Sequence, residues 1–162
     1  MTLRIGIGYD AHRLEAGSSL ILGGVRVPHD RGLVGHSDAD VLAHAVADAL
    51  LGALGLGDLG SRFPSSDERW KGADSLDLLR RVAAEVGEHG GRVTCVDSVI
   101  VAQQPRLSPH AEAMRRNLAG ALGVEPGLVG VKSKTTDRLG FEGRAEGISA
   151  QAVALVEVAE GR

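Results

Sequence analysis

Asp10 and His12 stand two residues apart behind an alternating run in which Leu3, Ile5, Ile7 and Tyr9 face away from Arg4, Gly6 and Gly8. In extended backbone, residues two apart point to the same side, so the carboxylate and the imidazole can converge on one point. His44 can join them from the stretch GHSDADVLAHAVADALLGAL (35–54), where Asp40, His44 and Asp48 recur every four residues and climb one face of a helix. Two imidazoles and one carboxylate are a donor set that suits zinc with an open fourth position, as catalytic zinc requires. Asp40 and Asp48 could then orient His44 through its second ring nitrogen. The plainer reading is an Asx turn at Asp10, an exposed His12 and a solvated polar helix face.

A second cluster, Lys132-Ser133-Lys134-Thr135-Thr136-Asp137, leaves a strand and enters the glycine-rich turn TTDRLGFEGRAEG. Hydroxyls and backbone amides there can hold phosphate oxygens, and Asp137 could hold a magnesium ion bridging two phosphates. Taken alone, the segment reads equally as a solvated polar turn. A GxxxxGK[ST] phosphate loop is absent, and Gly6-Ile7-Gly8 lacks the third glycine of a dinucleotide fingerprint.

The elements that must position these groups follow from periodicity. The first strand covers Leu3 to Tyr9 and runs straight into Asp10-Ala11-His12; Leu20–Leu22 and Val25–Val27 form a hairpin around Gly23-Gly24. A polar loop leads to His36. The 35–54 helix starts with Ser37 as a capping hydroxyl and acids in the first turn, and Leu42, Ala45, Val46, Ala49, Leu50 and Ala53 form its apolar stripe. Gly52, Gly55, Gly57 and Gly60 break it and open a long irregular segment through Ala73, of the length usual for functional or mobile loops. Asp74-Ser75 opens a second helix closed by Gly90-Gly91, Val93–Val101 is a strand apolar enough to be central, and Ser108-Pro109 starts a third helix ending near Gly123. Strands at Val129–Lys134 and Ile148–Val158 complete the order. It predicts an α+β fold, one domain over 1–162, with a mixed or antiparallel sheet and helices on one face. Val99, Val101, Val153 and Leu155 are too apolar for water, which implies an oligomer covering the other face.

The chain has 162 residues, enough for a core without metal or disulfide staples. Aromatic residues make up only 2%, so the core is built from Val, Leu, Ile and Ala. A formal net charge of -3 gives no basic field for nucleic acid, and the lone Cys95 excludes an intramolecular disulfide and a cysteine metal cluster. No charged-then-apolar leader and no bilayer-length apolar run is visible, so a cytoplasmic enzyme or binding protein with no membrane partner is expected.

The motifs YDAHRL, LGGVRVPHDRGLVGHSDADVLAHAVADALLGALGLGDLG, FPSSD, KGADS and LGFEGRAEG together closely resemble the 2-C-methyl-D-erythritol 2,4-cyclodiphosphate synthase family, in the right order and through nearly the whole chain. The resemblance implies zinc at Asp10, His12 and His44, and magnesium or manganese at Asp137. The family usually has Glu there, so a contact through water is implied for the shorter Asp. It implies that His36 and Thr135 position the reacting phosphates, and that His36, Ser37, Asp58, Gly60, Phe63 and Asp67 form the pocket for the erythritol phosphate end. Cytidine and diphosphate contacts fall on Ala102, Gln103, Gln104, Pro105, Arg106 and Leu107, and on Lys134, Thr135, Thr136 and Asp137, with Lys134 replacing a threonine often seen there.

The implied reaction is an intramolecular phosphoryl transfer on a cytidine-diphosphate-linked methylerythritol 2-phosphate, closing a cyclic diphosphate and expelling CMP in the non-mevalonate isoprenoid pathway. The family forms homotrimers with active sites between subunits. A cavity on the threefold axis can hold isoprenoid diphosphates in some members, and Phe141 and Arg144 match positions near it. A mobile loop over roughly 61–72, carrying Trp70, is expected to close over substrate. A metal-dependent phosphohydrolase and a non-catalytic trimer binding cytidine nucleotides or isoprenoid diphosphates remain alternatives.

Overall fold

Strand β1 (Thr2–Ala16) carries on well past Tyr9. Asp10 and His12, expected just beyond a strand, therefore lie inside one, opposite Ala150 and Ile148 of β7 (Gly147–Val158). The extension is held by ladders on both sides, because β4 (Arg31–Val34) pairs with Arg13 through Ala16. β4 falls where a polar loop was expected; its Gly32 and Leu33 are buried. The computed structural model describes residues 1–159, and the last three residues of the expected 1–162 domain lie outside them.

The described residues form a mixed five-stranded sheet in the order β4, β1, β7, β5 (Gly91–Val101), β6 (Val129–Lys134). β5 and β6 run parallel and the other neighbours antiparallel. The centre is β7, not the Val93–Val101 strand, which has only β6 beyond it. The hairpin is present as β2 (Ile21–Leu22) and β3 (Val25–Arg26).

Helix α1 (Val41–Leu54) begins later than the 35–54 reading, and its cap is Asp40 rather than Ser37. The Asp40 carboxylate accepts from the amides of Ala43 at 3.1 Å, Gly23 at 2.9 Å and Gly24 at 2.8 Å. It therefore joins the helix start to the hairpin turn. Burial pushes this carboxyl up, and the three amide donors oppose that push. Gly52 stays inside the helix, and Gly55 ends it in the left-handed region at φ 68°.

α1 lies directly on β1 because Gly6 and Gly8 have no side chains. A Cβ at either position would sit 1.9 Å from a helix carbonyl oxygen, that of Ala49 or Ala45. This close approach brings the helix within reach of Asp10 and His12 on the same strand face. The long segment after α1 holds a short helix, α2 (Leu59–Arg62), and a 3-10 turn at Glu68–Trp70. α3 (Ser75–Glu88), capped by Asp74, and α4 (Ala111–Leu122) complete the helical layer, which covers one sheet face as expected. α5 (Gly140–Gly143) is a single turn before β7.

The other sheet face is open in the single chain. Leu3, Ile5, Ile7 and Tyr9 are 62%, 71%, 70% and 51% exposed, and Val153 is 39% exposed. Val99, Val101 and Leu155 are half-buried, so the most exposed apolar side chains lie on β1. Among the described residues no helix is long and apolar enough to cross a membrane.

Candidate metal centre

Asp10 and His12 from β1 meet His44 from the end of the first turn of α1. Asp10 Oδ2 lies 2.9 Å from His12 Nε2 and 2.9 Å from His44 Nδ1, and the two ring nitrogens are 3.3 Å apart. Donors held about 2.1 Å from a tetrahedral zinc are separated from one another by about 3.3 Å. The three atoms therefore mark one face of such a tetrahedron, with the two edges at Asp10 a few tenths of an ångström short.

The protonation of His12 supports the same reading. Its Nδ1 lies 3.1 Å from the carbonyl oxygen of Val34, which can only accept, so Nδ1 carries the hydrogen. In the neutral ring, Nε2 then turns a lone pair toward a carboxylate and a second imidazole. Such a cluster needs a shared cation or a proton, and the residues fit a divalent metal. Gly35 allows the His12 ring to pack against the loop, since a Cβ there would lie 3.1 Å from His12 Cε1.

The electrostatics give a signed pH dependence. Burial alone would raise the Asp10 carboxyl and lower the His12 imidazole, but their hydrogen bond and mutual charge reverse both shifts. Asp10 is held well below the carboxylate range, and His12 is raised. The stability His12 lends is complete below its ordinary value of 6.5 and is lost as pH rises through the raised one. That from Asp10 is complete above its ordinary 3.8 and is lost only in stronger acid. The metal-free protein thus draws most from this pair between about pH 4 and 6.5. A cation requires His12 unprotonated, so its effect grows as pH rises. The gap in Tm between zinc-loaded and chelator-treated protein is expected to widen from about pH 5.5 to about pH 8. A gap that stays constant across that range would remove His12 from the ligand set.

His12 and His44 form part of the wall of a cavity of about 190 Å³. His36, Ser37, Gly60 and Phe63 line it as well, together with Trp70 of the expected loop and with Leu59, Ser65 and Leu78, which the sequence did not single out. His36 Nε2 donates to the Asp67 carbonyl at 3.1 Å. The Asp67 carboxylate is engaged by the Arg69 guanidinium at 2.6 to 3.0 Å, which holds it below the usual carboxylate range. Asp58 caps α2 through the Ser61 amide at 2.7 Å and is not among the lining residues. Trp70 meets Phe63 edge to face at 4.9 Å between ring centroids, which places the indole on the long segment against the cavity wall.

The other site residues fall into two further clefts. Ala102 through Leu107, with Lys134 and Thr135, line about 430 Å³ at the ends of β5 and β6. Thr136 donates through Oγ1 to the Leu139 carbonyl, and Asp137 sits exposed at φ 50°, its Oδ1 accepting from Thr135 Oγ1 at 3.3 Å. The Arg138 amide donates to Gln103 Oε1 at 3.0 Å, which ties this turn to the 102–107 loop. Gly143 permits the turn, because a Cβ there would lie 2.2 Å from the Arg138 carbonyl carbon. Phe141 and Arg144 line the third cleft, about 500 Å³, with Arg13 and Arg31.

Asp40 and Asp48 do not orient His44. Asp40 is occupied by the helix cap, and Asp48 accepts from the Leu59 amide at 2.7 Å. The ring is met instead by Ser75 at 2.8 Å and Ser37 at 3.2 Å. Ser75 was legible only as a helix start; its signal was the KGADS segment, whose long-range partner a local reading cannot supply.

Residues 3–157 match the YgbB family. The 2-C-methyl-D-erythritol 2,4-cyclodiphosphate synthase of Dechloromonas aromatica (strain RCB) is 57% identical over 157 residues, covering 97% of this chain and 98% of that protein. The bifunctional IspDF of Campylobacter jejuni superposes with a TM-score of 0.93 at 37% identity over 98% of this chain, which spans 43% of that larger protein. A Plasmodium falciparum IspF in complex with CDP gives a TM-score of 0.85 at 30% identity, covering 98% of this chain and 97% of that one. The fold, the Asp-His-His cluster and this full-length similarity lead to one assignment: the chain belongs to the YgbB family of 2-C-methyl-D-erythritol 2,4-cyclodiphosphate synthases.

Proposed function

We propose that this protein converts 4-diphosphocytidyl-2-C-methyl-D-erythritol 2-phosphate to 2-C-methyl-D-erythritol 2,4-cyclodiphosphate and CMP, in the cytoplasm, as a step of the non-mevalonate route to isoprenoid precursors. The observation that carries this reading is the near-tetrahedral spacing of the Asp10, His12 and His44 donor atoms, at a cleft whose wall His12 and His44 help to form. The names and near-complete coverage of the relatives support the substrate.

In this reaction an oxygen of the 2-phosphate forms a bond to the β-phosphorus while the bond to the CMP oxygen breaks, and CMP leaves with the electron pair. Anion attacks anion, so the protein's task is positioning and charge neutralisation. Asp10, His12 and His44 would hold a zinc ion, which supplies Lewis acidity and neutralises phosphate charge when bound. Asp137 would bind magnesium or manganese beside the diphosphate. His36, fixed by the Asp67 carbonyl, and the Thr135 hydroxyl would orient the reacting phosphates. Ser37, Asp58, Gly60, Phe63 and Asp67 would form the erythritol end, with Trp70 and Phe63 helping to exclude water. Ala102 to Leu107, Lys134 and Thr136 would serve the cytidine diphosphate end. A phosphate is already ionised near neutral pH, so neither a general base nor a side-chain nucleophile is required, and Cys95 has no chemical role.

The protein would act as a homotrimer with sites between subunits. The exposed β1 face needs a cover, and the metal cavity and the 102–107 cleft lie on different sides of β7 with no lining residue in common. A neighbour packed on the β1 face could bring its own cytidine cleft to the metal cavity. The Arg13, Arg31, Arg144 and Phe141 cleft would be the entrance to a threefold-axis cavity able to take an isoprenoid diphosphate. Ile7→Asp, which places charge on this face without touching either cavity, is expected to sediment at about one third of the wild-type mass, since a charge is not buried in an apolar interface. Wild-type mass in that variant would exclude the face as the interface.

Phosphorus NMR of a metal-supplemented incubation with the substrate tests the function. Cyclic diphosphate should appear in step with CMP. CMP accompanied only by open phosphates would replace the cyclase with a phosphohydrolase.

A further inference from the structure

KGADS ends in Ser75, and the Ser75 hydroxyl, 1% exposed as a residue, lies between a carboxylate and a metal-facing imidazole. Its oxygen is 2.8 Å from His44 Nε2 and hydrogen-bonds Asp38 Oδ1. Asp38 is itself held on both oxygens: Oδ2 accepts from the Ser75 amide at 3.1 Å, and Oδ1 accepts from the Asp40 amide at 3.2 Å. The Asp38 amide in turn donates to the Ala73 carbonyl at 3.0 Å. The carboxylate therefore cannot rotate away without giving up backbone partners on two segments.

A hydroxyl has one hydrogen to give. A carboxylate can only accept, so the Ser75 hydrogen goes to Asp38, and the Ser75 oxygen is left to accept from His44. That makes Nε2 the protonated nitrogen of His44 and leaves its Nδ1 lone pair facing Asp10 Oδ2 and His12 Nε2. In the opposite tautomer, His44 Nδ1–H would point at Asp10, and with the Ser75 hydrogen given to Asp38, Nε2 would have only the Ser37 hydroxyl, at the longer 3.2 Å, to accept from. Ser37 Oγ, 3.2 Å from Nε2, already accepts from the Ala39 amide and offers a longer alternative acceptor.

We propose that Asp38 and Ser75 are positioning residues that lock His44 in the tautomer able to bind metal. The relay Asp38–Ser75–His44 does for the helix histidine what the Val34 carbonyl does for His12. This inference rests on the metal reading of Asp10, His12 and His44, but it makes a statement about His44 that holds with no metal bound.

The clean test is Ser75→Ala, which removes the hydroxyl and keeps both the Ser75 amide contact to Asp38 and the Asp40 amide on Oδ1. Long-range proton–nitrogen NMR of the imidazole rings, in zinc-free protein at neutral pH, is expected to show His44 as the Nε2–H tautomer in wild type. Ser75→Ala should show a mixture enriched in Nδ1–H. Zinc affinity, read by competition with a chromophoric chelator, should weaken about 10- to 100-fold, the usual cost of losing an outer partner of a ligand. Ser75→Thr, which restores a hydroxyl, should recover the wild-type tautomer. An unchanged tautomer and zinc affinity in Ser75→Ala would overturn the relay. Failure of wild-type protein to bind zinc would overturn the metal reading instead, while the zinc-free NMR would still decide the relay.

Discussion

His12→Ala is expected to leave a folded protein without stoichiometric zinc and with turnover reduced at least about 10³-fold. The residue supplies one of three donors, and its ring nitrogen lies 2.9 Å from the Asp10 oxygen and 3.3 Å from the His44 nitrogen. Two remaining donors hold a divalent cation weakly, and the charge stabilisation of several kcal/mol that metal brings to phosphoryl transfer goes with it. The fold should survive because the His12 side chain is 20% exposed and its main structural bond is one contact to the Val34 carbonyl. His44→Ala should abolish metal and turnover equally, with some loss of stability, since His44 is 8% exposed and its ring also fills the space beneath Ser75. Metal analysis by mass spectrometry and CMP release check both variants. Full zinc content in His12→Ala would show that the cation lies elsewhere.

Gly8→Ala should be, with Gly6→Ala, among the most damaging single methyls in the protein. The new Cβ would lie 1.9 Å from the Ala45 carbonyl oxygen and 2.7 Å from the Ala49 amide nitrogen. Both are backbone atoms of a buried helix, so no side chain can turn aside and α1 must lift from β1. Overpacking of this kind costs about 3 kcal/mol or more, equivalent to a fall in Tm of roughly 10 °C for a chain of this size. The same displacement separates His44 from Asp10, so zinc affinity should fall with stability. Gly120→Ala is the control, because a Cβ there meets nothing within 4 Å. Equal melting temperatures for the two variants would mean that α1 does not depend on the missing side chain.

These glycines show where the sequence was readable. The alternation of Leu3, Ile5, Ile7 and Tyr9 disclosed a strand, and the two-residue step from Asp10 to His12 disclosed a shared direction. Nothing in the spacing showed that residues 12 and 44 meet. That meeting depends on Gly6 and Gly8 letting a helix rest on the strand, a contact more than thirty residues long-range. The start of α1 was misplaced for a different reason. Ser37, Asp38 and Asp40 are all capping residue types, and the choice among them was made by the Gly23 and Gly24 amides, which reach Asp40 from a distant hairpin. β4 was missed because Arg31–Val34 is a short edge strand paired only with the end of β1. The apolar outer sheet face was legible, although it proved most exposed on β1. Full assembly of the site was not legible, since it depends on contacts between segments distant in the chain, such as Ser75 meeting His44.

Anomalous diffraction from crystals grown with zinc and CDP tests the central claim most directly. The account predicts a zinc peak about 2.0 to 2.2 Å from Asp10 Oδ2, His12 Nε2 and His44 Nδ1, with a phosphate oxygen completing the tetrahedron. A zinc peak elsewhere, or none at these three atoms with CDP bound, would contradict it.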